Sequence, residues 1–111
     1  MMIVRDGPTT SVVVEDRGSQ PPIWRWWGPK VDAATLLPSA DVRPLTSFSL
    51  DVDQPLTVVP AFGTGWFGSP ALRAHRDGRA FAQRFETQSI EETDDAVVIT
   101  LVDPTARVTV V

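Results

Sequence analysis

At 111 residues the chain has room for one domain, near the lower size at which a single hydrophobic core is self-sufficient. Hydrophobic residues make up 42% and charged residues 22%, which excludes the polar, core-poor composition of a disordered chain. A formal net charge of −4, with ten scattered Lys and Arg, argues against nucleic acid, because phosphate binding needs a basic footprint. Absence of cysteine removes disulfides, thiolate nucleophiles and cysteine-ligated metals, and is compatible with a reducing compartment. No segment approaches the roughly 20 apolar residues of a membrane span, so a soluble, cytoplasmic protein without a membrane partner is expected.

Ten prolines and seven glycines divide the chain into short pieces with little room for a three-turn helix, which predicts an all-β fold. The β-branched run at 11–15 and the aromatic run at 22–27 read as the first strands. Only residues 32–37 suit a helical turn, which Pro38 would end. Phe48, Leu50 and Val52 alternate along a strand over 46–52. Two further strands, 56–59 and 71–75, flank a glycine-rich loop. Arg76-Asp77-Gly78-Arg79 is a hairpin turn, because Asp-Gly supplies the positive φ angles of a tight reversal. A strand over 80–89, with a bulge, is expected to pair back on 72–75. Residues 91–95 form a polar loop. The last two strands, 96–102 and 106–111, are joined by Asp103-Pro104-Thr105, where proline stops the ladder. The final strand ends without a polar tail, which suits either a strand lying against a covered edge or a piece of something longer.

Trp24, Trp26 and Trp66 are the side chains best suited to stack on sugar faces. On a regular strand Trp24 and Trp26 share one face and Trp27 takes the other. A small β core needs large rings, so Trp26 or Trp27 is expected to be packed, whereas Trp66 is expected at the surface. Asp51 and Asp53 project from one strand face, as an acid–base pair or a hard-cation site would. The Gln54-Pro55 that follows makes a solvated turn the better reading. Glu91, Glu92, Asp94 and Asp95 read as a solvated acidic loop. His75, the single histidine, removes His-rich zinc sites and a Ser-His triad. No metal, cofactor or nucleotide site is called for, since no Gly-Lys-Ser/Thr follows the glycine loop.

The loop itself, Pro60-Ala61-Phe62-Gly63-Thr64-Gly65-Trp66-Phe67-Gly68-Ser69-Pro70-Ala71-Leu72, carries more apolar surface than a plain solvent loop needs. It resembles the Pro-Glu-aromatic-Gly-Thr-Gly-Asp-Phe-Arg-x-Pro-Ala-Leu segment in the amino-terminal domain of family 36 glycoside hydrolases, the bacterial-type α-galactosidases. Thr10-Ser11-Val12-Val13-Val14 is similar to that family's opening strand, and Trp24-Arg25-Trp26-Trp27-Gly28 to its His-Leu-Tyr-Trp-Gly. Thr46-Ser47-Phe48-Ser49-Leu50-Asp51 and Val98-Ile99-Thr100-Leu101-Val102-Asp103 resemble two further strands of the family, in the same order. Trp66 and Gly68 depart from the pattern, standing where the family has Asp and Arg.

The resemblance implies that residues 1–111 are an amino-terminal antiparallel β-sandwich, or a portion of a larger supersandwich, whose catalytic (β/α)8 barrel lies outside this chain. It implies a parent that hydrolyses terminal α-galactosides with retention, using two carboxyl groups about 5 Å apart. Both belong to the barrel, so no catalytic residue is assigned here. It also implies a homo-oligomer in which Phe62, Gly63, Gly65, Trp66 and Phe67 border a neighbour's active-site mouth. A free-standing carbohydrate-binding sandwich using Trp24, Trp26 or Trp66, and a self-associating structural domain, are the alternatives.

Overall fold

The computed structural model describes residues 1–36, 55–66 and 68–111. The expected strand over 46–52, the Asp51/Asp53 pair and Phe67 lie outside the described residues.

The first sheet is antiparallel in the order β1-β2-β3, from β1 (Met2–Asp6), β2 (Thr10–Arg17) and β3 (Gln20–Pro29). β2 and β3 answer the β-branched and aromatic runs. β1 was not expected, because its five residues are too few to show a period; it is drawn in by pairing Ile3 with Val14 and Val4 with Val13. Gly18, at φ 69°, turns β2 into β3, and its N–H is held by Asp16 Oδ1 at 2.8 Å. The helical turn is a single 3-10 turn, Ala33–Thr35, capped by Asp32, whose Oδ1 accepts from the Ala34 N–H at 3.0 Å.

Along β3 the expected alternation fails. Trp24 pairs with Val14 and Trp26 with the adjacent Val13, so Arg25 is an extra residue without a place in the ladder. Such a bulge reverses the facing of everything beyond it. Trp24 and Trp26 therefore lie on opposite faces, and Trp24 instead meets Trp27, with ring centroids 5.6 Å apart and planes tilted by 37°.

The second sheet is antiparallel in the order β4-β5-β6, from β4 (Glu86–Glu92), β5 (Val97–Asp103) and β6 (Val108–Val110). The β5–β6 hairpin forms as its sequence predicts. A register shift does fall within 80–89, between Thr87 and Ser89, but in the pairing of β4 with β5 rather than with 72–75. Glu91 and Glu92 end β4 rather than opening a loop, leaving Asp94 and Asp95 in the turn. Ala61, Phe85 and Leu101 form a buried cluster, with Val58, Val59, Leu72, Ile99, Val108 and Val110 packed against it. The chain on both sides of the glycine loop thus covers this sheet.

Residues 71–75 are not a strand, 56–59 contribute only the bridge between Thr57 and Ile23, and 80–85 precede the strand that begins at Glu86. β4 pairs with β5 and not with 72–75. The Asp-Gly turn does form, with Asp77 at φ 50°, Gly78 at φ 73° and reciprocal Arg76–Arg79 hydrogen bonds of 2.8 and 2.9 Å. The ladder ends there because Ala80 takes φ 57°, outside the extended region. Gln83, fully buried, then donates its amide to the Ala74 and Ala80 carbonyls at 2.8 and 2.7 Å, replacing strand hydrogen bonds with side-chain ones. Arg76 reaches the carbonyls of Ala106 and Arg107 at 3.1 and 3.2 Å, fixing the turn to the final hairpin.

The sheets meet at the β2–β3 turn, where Thr87 donates its N–H to Ser19 O at 2.9 Å and its hydroxyl to Gln20 O at 2.7 Å. Arg5 donates to Ala96 O at 3.2 Å. The fold is all-β and sandwich-like, built from two antiparallel three-stranded sheets. Among the described residues no helix is long and apolar enough to cross a membrane.

Asp103, buried at the turn of the last hairpin, accepts the N–H groups of Thr105 and Ala106, both at 2.9 Å, and of Arg84 at 2.8 Å. Burial pushes its pKa up, but the backbone donors of Ala106, Arg84 and Thr105 outweigh it and hold the carboxyl below the ordinary 3.8. Because the folded pKa is the lower one, the stabilisation is complete above the unfolded value and is lost as pH falls through the folded one. Asp103→Ala should cost about 3 kcal/mol near neutrality by leaving three donors unmet. Denaturant melts should show this deficit shrinking as the pH is lowered beneath the ordinary carboxylate range.

Candidate functional site

The glycine loop is fixed by contact of backbone on backbone. The 3-10 turn Phe62–Thr64 brings Gly63 against residues 82–83, where its N–H donates to Gln83 O at 2.9 Å. A Cβ on Gly63 would lie 2.7 Å from the Gln83 carbonyl carbon and 2.9 Å from Ala82 O, so only glycine fits. Gly65 ends the turn at φ 89°, a left-handed conformation that costs other residues about 1–2 kcal/mol. Phe62 is left 45% exposed.

Trp66 is half-buried rather than exposed as expected, because its indole folds back over its own loop. A Cβ on Gly68 would lie 2.8 Å from Trp66 Nε1, and that N–H donates to Ser69 O at 3.0 Å. The same device occurs on β3. There Trp26 lies over Gly28 and donates its indole N–H to Pro29 O at 2.8 Å. In both, a tryptophan, a glycine two residues on and a carbonyl three residues on form one unit in which the ring's polar atom is satisfied. Trp24 is half-buried, Trp26 is 37% exposed and Trp27 75% exposed. The expected packing of Trp26 or Trp27 is therefore not found. The bulge at Arg25, which ion-pairs with Glu15 at 3.5 Å, leaves Trp26 and Trp27 on opposite faces and both exposed, and the buried hydrophobic side chains of this sheet include Ile3, Val13, Val14 and Ile23 instead.

Gly63 and Trp66 come together in a cleft of about 490 Å³ between the β2–β3 turn and the start of β4. Its polar lining includes Arg17, Gln20, Arg84 and Glu86, and Phe85 closes it on the core side. Trp24, Trp26 and Trp27 do not line it. The sequence carries no sign of Arg17, Arg84 and Glu86 as neighbours, since only the docking of Thr87 on Ser19 and Gln20 brings them together. His75 serves its turn, with Nδ1 accepting from the Gly78 N–H at 3.2 Å and its ring 5.6 Å from that of Phe81. Among the described residues no group of His, Cys, Asp or Glu could hold a metal ion.

An all-β domain with a glycine-pinned aromatic loop is the class these elements define. Residues 20–111 match the glycosyl hydrolase family 36 N-terminal domain, and the chain belongs to that family. It is 33% identical over 87 residues to an alpha-galactosidase of Escherichia coli, an alignment that covers 73% of this chain and 12% of the relative. The chain thus spans a small part of the length of that enzyme. No solved structure matches it.

Two substitutions test the loop. Gly63→Ala should cost about 1–3 kcal/mol through overpacking against backbone that cannot move aside. Gly68→Ala should leave stability nearly unchanged but displace the Trp66 indole, shifting its N–H resonance in a proton–nitrogen NMR spectrum.

Proposed function

We propose that this chain is the non-catalytic amino-terminal domain of a larger α-galactosidase-like glycoside hydrolase, a parent that removes terminal α-D-galactosyl units. The family match over 20–111 carries this reading, supported by the named activity of the Escherichia coli relative. The barrel of the parent supplies the catalytic carboxylates, and this domain supplies a rigid surface. The parent is a cytoplasmic homo-oligomer in which Phe62, Gly63, Gly65, Trp66 and Phe67 help assembly and border the active-site mouth of a neighbour. Partial exposure of Phe62 and of Trp66 supports an interfacial role, since aromatic rings in a fixed loop bury area at little entropic cost. Exposure of Trp26 and Trp27 favours a second reading, a carbohydrate-binding sandwich with Trp24, Trp26 or Trp66 as its platform.

Purified chain should release no nitrophenol from a nitrophenyl α-galactoside. Turnover that disappears on Asp51→Asn or Asp53→Asn would contradict this reading. In the parent, Trp66→Ala should weaken assembly in sedimentation or raise KM, with the melting temperature of the domain close to wild type. A large stability loss with unchanged assembly and kinetics would make Trp66 an ordinary packing residue.

A further inference from the structure

The chain holds two Asp-Gly dipeptides, Asp6-Gly7 and Asp77-Gly78, and in both the glycine N–H is engaged. Gly7 donates to the Thr10 carbonyl at 2.8 Å, and the Ser11 hydroxyl holds the Asp6 carboxylate. Gly78 relies on a side chain instead, donating to Nδ1 of His75 at 3.2 Å. The Asp77 carboxylate, exposed at the tip of its turn, makes no hydrogen bond or ion pair among the described residues. The His75 ring lies against Phe81, centroids 5.6 Å apart, which gives a place to an aromatic side chain left 62% exposed.

We propose that Asp77-Gly78 is a latent isoaspartate site and that His75 is the residue that keeps it closed. With no side chain on Gly78 to hinder it, the Gly78 nitrogen can attack the aspartyl carboxyl group. A bond forms from that nitrogen to Asp77 Cγ, the amide proton and a carboxyl hydroxyl leave as water, and a five-membered cyclic imide results. Water then adds back. Breaking the N–Cγ bond restores aspartate, whereas breaking the bond from nitrogen to the main-chain carbonyl carbon leaves isoaspartate, of the same composition, with the chain running through Cγ. The imide nitrogen is planar like the amide, so Cγ must take the in-plane position that the amide hydrogen holds. In the folded chain that hydrogen points at His75. Nδ1 accepts it in the ring tautomer that carries its proton on Nε2. The reciprocal Arg76–Arg79 hydrogen bonds, 2.8 and 2.9 Å, restrain the same peptide from both sides. An isoaspartate adds a main-chain atom to this two-residue loop. Arg76 then loses its register with Arg79, and with it the bonds to Ala106 and Arg107 that fix the turn to the final hairpin.

The test is ageing of the chain near neutral pH, with isoaspartate at each dipeptide measured by peptide mapping with an endoproteinase that cuts before aspartate but not before isoaspartate. Folded wild type should isomerise at residue 77 about tenfold or more slowly than the same chain unfolded in urea, since ring closure needs the turn to open. His75→Phe keeps a ring against Phe81 but removes the acceptor. It should speed the reaction at residue 77 about three- to tenfold, the effect of one lost hydrogen bond. His75→Asn, whose Oδ1 stands where Nδ1 stood, should restore the protection. Asp6, whose dipeptide is held by Thr10 and Ser11, is the internal control and should age at the same slow rate in every folded variant. Folded wild type that isomerises at the unfolded rate, or His75→Phe that ages no faster than wild type, would overturn the inference. So would His75→Asn that ages as fast as His75→Phe, or a rise at Asp6 matching that at Asp77, which would mark general unfolding.

Discussion

The close approach of Gly63 to the backbone of Ala82 and Gln83 is the constraint on which the second half of the molecule depends. It fixes the aromatic loop to a segment that is itself not a strand, and that segment is held from three directions. The Gln83 side chain reaches the Ala74 and Ala80 carbonyls, the Arg84 N–H reaches Asp103, and Arg76 joins the neighbouring turn to the last hairpin. The bonds at Gln83 and Arg84 satisfy backbone groups of a segment that has no strand partner. Phe85 follows directly and enters the core with Ala61 and Leu101, so one short segment connects the loop, the turn and the sheet.

Two tryptophans are positioned by the same local means, although one sits on a strand and the other in a loop. In each case the indole folds over a glycine and donates to the carbonyl after it. A buried indole N–H must find a partner, and an exposed one competes with water; here neither is open to a ligand. Both rings are therefore restrained apolar faces. This suits contact with another protein surface or a sugar ring better than it suits hydrogen-bonded recognition.

Much of the fold was legible where local chemistry decides it. Val12, Val13 and Val14 announced β2, Asp77-Gly78 announced its turn, and Asp103-Pro104 announced the final hairpin. The readings that failed did so where long-range contacts prevail. The alternation of Trp24, Trp26 and Trp27 said nothing of the extra residue at Arg25, because a bulge is defined by its partner strand. Residues 80–85 have the composition of a strand, but Ala80 at φ 57° and the buried Gln83 amide take them out of the ladder. Phe62, Gly63 and Trp66 stood out by their glycine spacing. Arg17, Arg84 and Glu86, far apart in the chain, had no such signal and become neighbours only through Thr87.

Native-state hydrogen exchange tests the central claim most directly, because it reads whether the loop opens with the sheet or apart from it. If Gly63 is pinned as described, its amide and those of Arg84 and Thr87 should exchange with the same opening free energy as the amides of β5. A Gly63 amide that exchanges at the rate of an unstructured loop, while β5 stays protected, would contradict the account.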